Sequence, residues 1–306
     1  MTAPPLLIAD VPWLLYRSFF ALPKSIVGTD GEPVNALLGT VNALLALIDV
    51  RAPAQPPRAV AACMGAEQAA YRVKLYPPYH AHRDPMPPEL AAQWRRAPKL
   101  LAALGFTFSD SDTLEADDVM FSFARVEELA GGRALLLTGD RDLFGAVSGQ
   151  VAVVELKKGS EQAQIGPEQV RERYGVEPEQ VADFIALRGD PSDGLPGAPG
   201  IGAKTAAELL RAHGSLEQLL RAAGASPGRA GAAAAVRATT VMRPRVAATL
   251  RDHAESLLAF KEIATLQRID VQRPPDRATD FEQGARLARE LGMRRLAERL
   301  ERLATA

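Results

Sequence analysis

The sequence predicts an α/β fold, a mostly parallel central sheet flanked by helices, followed by a C-terminal helical region. Three observations predict it. Short continuous apolar runs at residues 6–9, 59–63, 134–137 and 151–154 read as buried strands, because strands covered on both faces lose the apolar–polar alternation. Helical patterns separate these runs, an order that favours parallel pairing through right-handed crossovers. From Pro167 onward the strand signals cease and helices dominate.

Residues 6–9 form the first strand and end at Asp10, after which 13–22 reads as a helix. A second apolar helix covers 35–50, and the Pro-rich segment 52–57 leads to the strand 59–63, with Gly65 just beyond. Residues 71–88 mix prolines and tyrosines with Lys74, His80, His82 and Arg83 without periodicity, which predicts a loop or mobile arch. Helix resumes over 88–104, Phe106 and Phe108 mark a short strand, and an acid-led helix starts near Glu115. The strand 134–137 closes in Thr138-Gly139-Asp140-Arg141-Asp142, and 151–154 is the last strand. Helices follow over 167–174, 178–187, 203–213 and 215–222, the last opened by a Ser215–Gln218 capping box. A Gly- and Ala-rich connection over 223–235 then gives way to arginine-rich helices at 245–264 and 282–303.

Composition narrows the function. At 306 residues with 47% hydrophobic side chains, the chain suits one large domain or two smaller ones around a substantial core. The balance of 36 basic against 37 acidic residues excludes a uniformly basic nucleic-acid binder but permits separate clusters of each sign. A single cysteine, Cys63, excludes an intrachain disulfide and a multi-cysteine metal site, and suits a reducing cytoplasm. The start carries no basic segment before an apolar stretch, and the longest uncharged apolar run, 36–48, is too short to span a bilayer. No membrane role is expected.

Acids fall where side chains from distant segments can meet. Asp10, Glu115, Asp117, Asp118, Asp140, Asp142, Asp190 and Asp193 stand at strand ends, helix starts or loop turns. In a parallel sheet, ligands bind outside the carboxyl ends of the strands, where Asp10, Asp140 and Asp142 are expected. Converging carboxylates repel unless cations neutralise them, and an all-oxygen donor set selects Mg²⁺ or Mn²⁺, two or more ions. Two such ions activate a water and stabilise the departing oxygen of a phosphodiester. Taken singly, each acid reads equally as a surface charge or cap, and Glu115–Asp118 as an ordinary acidic helix start.

The run from Gly197 to Thr205 departs from a P-loop, because Ala203 separates Gly202 from Lys204 and a helix precedes it. It reads instead as a turn between the helices 178–187 and 203–213. There Gly197, Gly200, Ile201 and Gly202 let the backbone approach a DNA phosphate, with Lys204 and the amides near Thr205 as donors. A tight interhelical turn without a ligand has the same pattern.

Asp10, Glu-Ala-Asp-Asp, Thr-Gly-Asp-Arg-Asp and Gly-Asp-Pro-Ser-Asp-Gly-Leu-Pro-Gly, in this order, closely resemble the 5′ nucleases of the flap endonuclease and 5′-3′ exonuclease family. The resemblance runs from about Leu6 to about Val271 and is nearest to the exonuclease domain of bacterial DNA polymerase I. It implies a PIN-like core over 1–178 with an arch near 71–88, and a DNA-binding region over 179–306 containing a helix-three-turn-helix. It further implies Asp10, Glu115 and Asp117 at one metal, Asp140, Asp142 and Asp193 at a second, and Asp118 and Asp190 in or near the two. Asp10, Arg72, His80 and Arg83 are the implied catalytic residues, Tyr79 engages the 5′ strand, and the turn 197–205 grips duplex DNA and holds K⁺. The implied activity is divalent-metal-dependent 5′-3′ exonuclease and flap endonuclease cleavage of branched, nicked or gapped duplex DNA, or of an RNA–DNA hybrid, by a cytoplasmic, nucleoid-associated monomer.

Three positions depart from the family pattern. Gly65 stands where an aspartate is usual, His80 where a lysine is usual, and Gly194 where an asparagine is usual. An imidazole is a weaker cation near neutral pH than an ammonium. A DNA-binding protein with weakened catalysis, and an RNA-processing nuclease of the related PIN type, therefore stand as alternative readings.

Overall fold

The computed structural model describes residues 3–49, 56–156, 162–224 and 242–305. Most of the segments 52–57 and 223–235 lies outside the described residues. A six-stranded sheet runs in the order β3-β2-β1-β4-β5-β6, built from β1 (Leu6–Asp10), β2 (Ala59–Cys63), β3 (Thr107–Ser109), β4 (Ala134–Leu137), β5 (Val151–Leu156) and β6 (Gln162–Ile165). The first five strands are parallel, and β6 returns antiparallel to β5. The short β6 escapes sequence reading because its four residues, Gln-Ala-Gln-Ile, carry little apolar signal.

Successive side chains point to opposite faces, and both faces are buried. Leu6, Ile8, Ala61, Leu136 and Val153 join one core with α5 (Ala116–Leu129) and the helices that follow the sheet, α6 (Pro167–Tyr174), α7 (Val181–Arg188), α8 (Ala203–His213) and α9 (Leu216–Gly224). Leu7, Ala9, Ala62, Leu137 and Val154 join another with α1 (Val11–Ala21), α2 (Asn35–Ile48) and α4 (Pro88–Ala103). This double cover explains why the strands read as unbroken apolar runs.

Two long helices expected near the C-terminus are each split. Residues 245–264 form α10 (Pro244–Asp252) and α11 (Ala254–Ala264), parted at His253, whose ψ of 12° leaves the helical range. Residues 282–303 form α12 (Phe281–Glu290) and α13 (Arg294–Ala304), parted at Gly292 with φ +85°. A Cβ there would lie 2.5 Å from the Thr29 amide nitrogen, so the turn needs glycine for conformation and for space. Leu287, Leu296 and Leu300 belong to the same core as α1, α2 and α4, so the last two helices pack on the sheet's far face.

The first part of the segment expected as a loop or mobile arch is packed down, while residues 81–85 are exposed. Residues 70–75 form α3 (Ala70–Leu75), Tyr76 meets the Phe260 ring edge-on at 5.1 Å, and Tyr79 and His80 are each only 3% exposed. Alternating tyrosines and prolines hid a short helix followed by a turn that folds back on the core.

Candidate active site

The order of strands reverses beside β1, since β2 lies on one side and β4 on the other. Asp10 ends β1 at this switch point. It caps α1 by accepting from the Trp13 amide at 2.9 Å, while its other oxygen accepts from the Thr138 hydroxyl at 2.7 Å. The Asp140 amide donates to Thr138 Oγ1 at 3.0 Å, and the Asp142 amide to Asp140 Oδ1 at 2.9 Å. One chain of hydrogen bonds thus orders three acids from two strands.

A cavity of about 1670 Å³ opens above these strand ends. Seven of the eight acids singled out in the sequence line it: Asp10, Glu115, Asp117, Asp140, Asp142, Asp190 and Asp193. Burial pushes the Asp10 carboxyl up to about 6 against the hydrogen bonds from Thr138 and Trp13. Burial likewise lifts Asp140 to about 6, opposed by the Asp142 amide and reinforced by the charges of Asp193 and Asp190. Asp117 and Asp142 rise well above the usual carboxylate range, through burial first and then the charge of Asp140. Among the described residues no three of these acids meet at one point as a ready-made metal ligand set, although seven line the same cavity.

The eighth acid faces elsewhere. Asp118, expected in or near the metal shells, is fully buried and takes a bidentate pair of bonds from Arg72, each 2.8 Å. The Gln267 amide donates to it at 2.7 Å and the Glu115 amide at 3.2 Å, so both its oxygens are engaged. Arg72, expected to act on the scissile phosphate, is correspondingly committed. Its Nε donates to the Ile263 carbonyl at 2.9 Å, and although burial opposes its charge, Glu115 and Asp118 push its pKa upward. Tyr79, expected to engage the 5′ strand, lines the same cavity. Its hydroxyl donates to Glu115 Oε2 at 3.0 Å and its ring stacks on His80 at 3.8 Å, so it orients an acid from a buried position.

His80 adopts φ +56°, and its Nε2 lies 2.9 Å from Asp193 Oδ1. Arg83, 46% exposed along its side chain, reaches the same oxygen at 3.2 Å and keeps donors for another anion. Asp190 accepts from Arg188 at 3.1 Å and from the Ser192 amide at 2.8 Å. Thr138 and Arg188 were not anticipated. Thr138 stands inside the motif Thr-Gly-Asp-Arg-Asp, where the acids drew the attention, and Arg188 ends an unremarkable helix. Trp13, Tyr16, Phe20 and Trp94 also line the cavity. Their signal was hidden in apolar helical patterns.

In the glycine turn, Gly197 and Ile201 serve the turn itself. A Cβ on Gly197 would lie 2.4 Å from the Gly189 nitrogen, and the Ile201 side chain is 4% exposed. Around Gly200 and Gly202 nothing approaches within 4 Å of an added Cβ, and Lys204 is exposed beside them at the start of α8. Among the described residues, no helix is long and apolar enough to cross a membrane.

An acid-lined cleft at the switch point of a parallel sheet, with arginines in its lining and a glycine turn open to solvent, defines the class as a nuclease. The family model for the 5′-3′ exonuclease N-terminal resolvase-like domain matches residues 5–175, and that for the 5′-3′ exonuclease C-terminal SAM fold matches residues 176–283. The chain belongs to the 5′-3′ exonuclease family. A Mycobacterium tuberculosis protein named 5′-3′ exonuclease is 34% identical over 325 residues, covering 97% of each chain. DNA polymerase I of the same organism is 39% identical over 244 residues, 79% of this chain and 26% of the polymerase. The chain thus spans about a quarter of the length of the polymerases it matches. In fold it is similar to the flap endonuclease of bacteriophage T5 solved with DNA and metal ions, with a TM-score of 0.61, 18% identity, and coverage of 99% and 100%. It is similar, too, to the catalytic core of Rad2 in complex with DNA substrate, with a TM-score of 0.61, 12% identity, and coverage of 97% and 92%.

Proposed function

We propose that this chain is a divalent-metal-dependent 5′-3′ exonuclease and flap endonuclease that hydrolyses phosphodiester bonds near the 5′ end of branched, nicked or gapped duplex DNA in replication and repair, including removal of flaps or RNA primers. The observation that carries the reading is the convergence of seven carboxylates on one cavity. Family membership supports it, and so does the likeness in fold to the T5 flap endonuclease and Rad2, both solved with DNA.

The donor set fits hard divalent cations. Acids whose ionisation burial and mutual repulsion oppose are those a cation relieves, and oxygen donors without thiolate or imidazole suit Mg²⁺ or Mn²⁺. Asp10, Glu115 and Asp117 would hold one ion, and Asp140, Asp142, Asp190 and Asp193 another. Such ions, when bound, lower the pKa of an attacking water and stabilise the leaving oxygen.

The chain's own side chains supply the rest. Arg83 and Arg188 bring positive charge to the rim, where a phosphodiester enters, and His80 with Arg83 fixes the rotamer of Asp193. Thr138 holds Asp10 in place. Gly200, Gly202, Lys204 and Thr205 grip the phosphates of the duplex without reading bases, and backbone oxygens of that turn hold K⁺. The reading assigns 1–178 to the catalytic core with its arch near 71–88, and 179–306 to the DNA-binding region, in a cytoplasmic monomer acting at the nucleoid. A 5′-labelled flap incubated with Mn²⁺ should be cut by the protein and left intact by Asp140→Asn. A flap that neither protein cuts overturns the reading, and a matched RNA flap measures the preference between the two nucleic acids.

A further inference from the structure

Beyond the end of β2, the chain is stitched to the segment that leads into α5. The Met64 amide donates to the Ser109 carbonyl at 2.8 Å, and the Ala66 amide to the Leu114 carbonyl at 2.9 Å. Gly65 sits between these two bonds. A Cβ placed on it would lie 2.6 Å from the Leu114 oxygen, the Glu115 carbonyl carbon and the Ala116 nitrogen. All three obstacles are backbone, so no rotamer change can clear them, and close-packed interiors give way only at a cost. The φ of Gly65 lies outside the left-handed region, so the requirement is for space alone.

The start of α5 has no freedom to retreat. Glu115 accepts from the Ala69 amide at 2.8 Å and from the Tyr79 hydroxyl at 3.0 Å, while Asp118 is held by Arg72 and by the Gln267 amide. The helix start is therefore gripped from the arch, from the C-terminal segment and from β2 together. We propose that Gly65 is a positioning residue: its bare backbone lets the first turn of α5 seat against the end of β2, and this seating sets Glu115 and Asp117 into the cavity. Against the family pattern that the motifs resemble, Gly65 looks like the loss of an acidic ligand. In this chain the space for such a side chain is filled by the backbone that carries two other acids.

The inference rests on the proposed metal-dependent reading for its consequence, and on packing alone for its cause. Gly65→Ala and Gly65→Asp are compared with wild type and with Gly284→Ala, a glycine in α12 outside the site, where a Cβ would lie 2.3 Å from a Leu104 methyl rather than from backbone. Mn²⁺ affinity is read by calorimetry, and amide hydrogen exchange over 115–118 by mass spectrometry of the metal-free proteins. Both Gly65 variants should bind Mn²⁺ about 10-fold or more weakly, the scale seen when a group that orients metal ligands is disturbed. Exchange over 115–118 should quicken, while Gly284→Ala lowers the melting temperature and leaves Mn²⁺ affinity unchanged. Tighter Mn²⁺ binding by Gly65→Asp, or wild-type affinity in Gly65→Ala, overturns the proposal.

Should neither Gly65 variant fold, Gly65→Ala/Tyr79→Phe removes one hold on Glu115. Recovery of a folded, weakly binding protein supports the seating, and no recovery overturns it. A wild type that binds no Mn²⁺ overturns the proposed function instead. Gly65 is then judged on hydrogen exchange, where an unchanged rate over 115–118 rejects it.

Discussion

Asp117 and Asp118 are neighbours in sequence with opposite assignments, and replacing each separately tests the geometry. Asp118→Ala removes the bidentate partner of a guanidinium whose side chain is 4% exposed. Breaking a buried ion pair by deleting one member costs about 3–5 kcal/mol, because the other charge is left buried. Glu115 Oε1, 3.3 Å from the same guanidinium, remains as a partial partner, which favours the lower end, about 3 kcal/mol. For 306 residues unfolding as one unit, about 2.1 cal/mol/K per residue gives an unfolding entropy near 0.64 kcal/mol/K, so the melting temperature should fall by about 5 °C. Asp117→Asn removes a repelled carboxylate, so it should leave the metal-free melting temperature unchanged or raised while abolishing flap cleavage and sparing DNA binding. Thermal denaturation without metal, paired with a flap assay in Mn²⁺, reads both. Loss of cleavage without loss of stability in Asp118→Ala, or unaltered cleavage in Asp117→Asn, would refute the division.

The raised carboxylates also fix a pH dependence. Asp10 and Asp140 titrate near 6 when folded against an ordinary value of 3.8, so the folded chain binds the extra protons and their contribution to stability is lost as pH rises from about 4 through about 6. Metal-free protein should therefore melt lower at pH 7.5 than at pH 5, saturating Mg²⁺ should reverse that order, and a metal-free melting temperature flat across the range counts against the coupled cleft. Glu127, fully buried and bound by both Arg58 and Arg273, lies outside the cavity lining, so Glu127→Gln should cost about 3–5 kcal/mol in denaturant unfolding yet leave Mn²⁺ affinity intact; equal loss of both would tie this network to the site. Lys204→Ala should weaken duplex binding regardless of sequence and reduce the salt slope by about 0.9, and an unchanged slope would remove Lys204 from the phosphate contacts.

Most of the sheet was legible because both of its faces are buried. The unbroken runs at Leu6–Asp10 and Ala134–Leu137 need no partner to be recognised, and a binding role for Asp10 and Asp140 at their ends follows from the rule that parallel sheets bind at their carboxyl edge. What stayed hidden depends on pairing across the chain. Arg72 and Asp118 are 46 residues apart, and nothing local distinguishes a committed guanidinium from a free one. Helix breaks at His253 and Gly292 escaped for a related reason. An amphipathic pattern continues across them, and only the hairpin turn at Thr29 pressing on Gly292 dictates where the second break falls.

The same distinction bears on how a departure from a family pattern is weighed. Read as a string, Gly65 and His80 are two losses at one site and suggest decayed catalysis as an alternative to an active nuclease. In the folded chain each occupies a built position. Gly65 is enclosed by the backbone of residues 114–116, and His80 holds Asp193 through Nε2 while stacked on the ring that orients Glu115. Decay would leave unfilled space or unheld acids at these points. Here the neighbouring chain has closed around the glycine, and the histidine bonds the acid beside it, so both substitutions belong to a cleft that still gathers seven carboxylates around one cavity. That packing favours an altered but working nuclease over a residual binding protein, and Gly65→Asp, the change that would restore the family pattern, is expected to harm it.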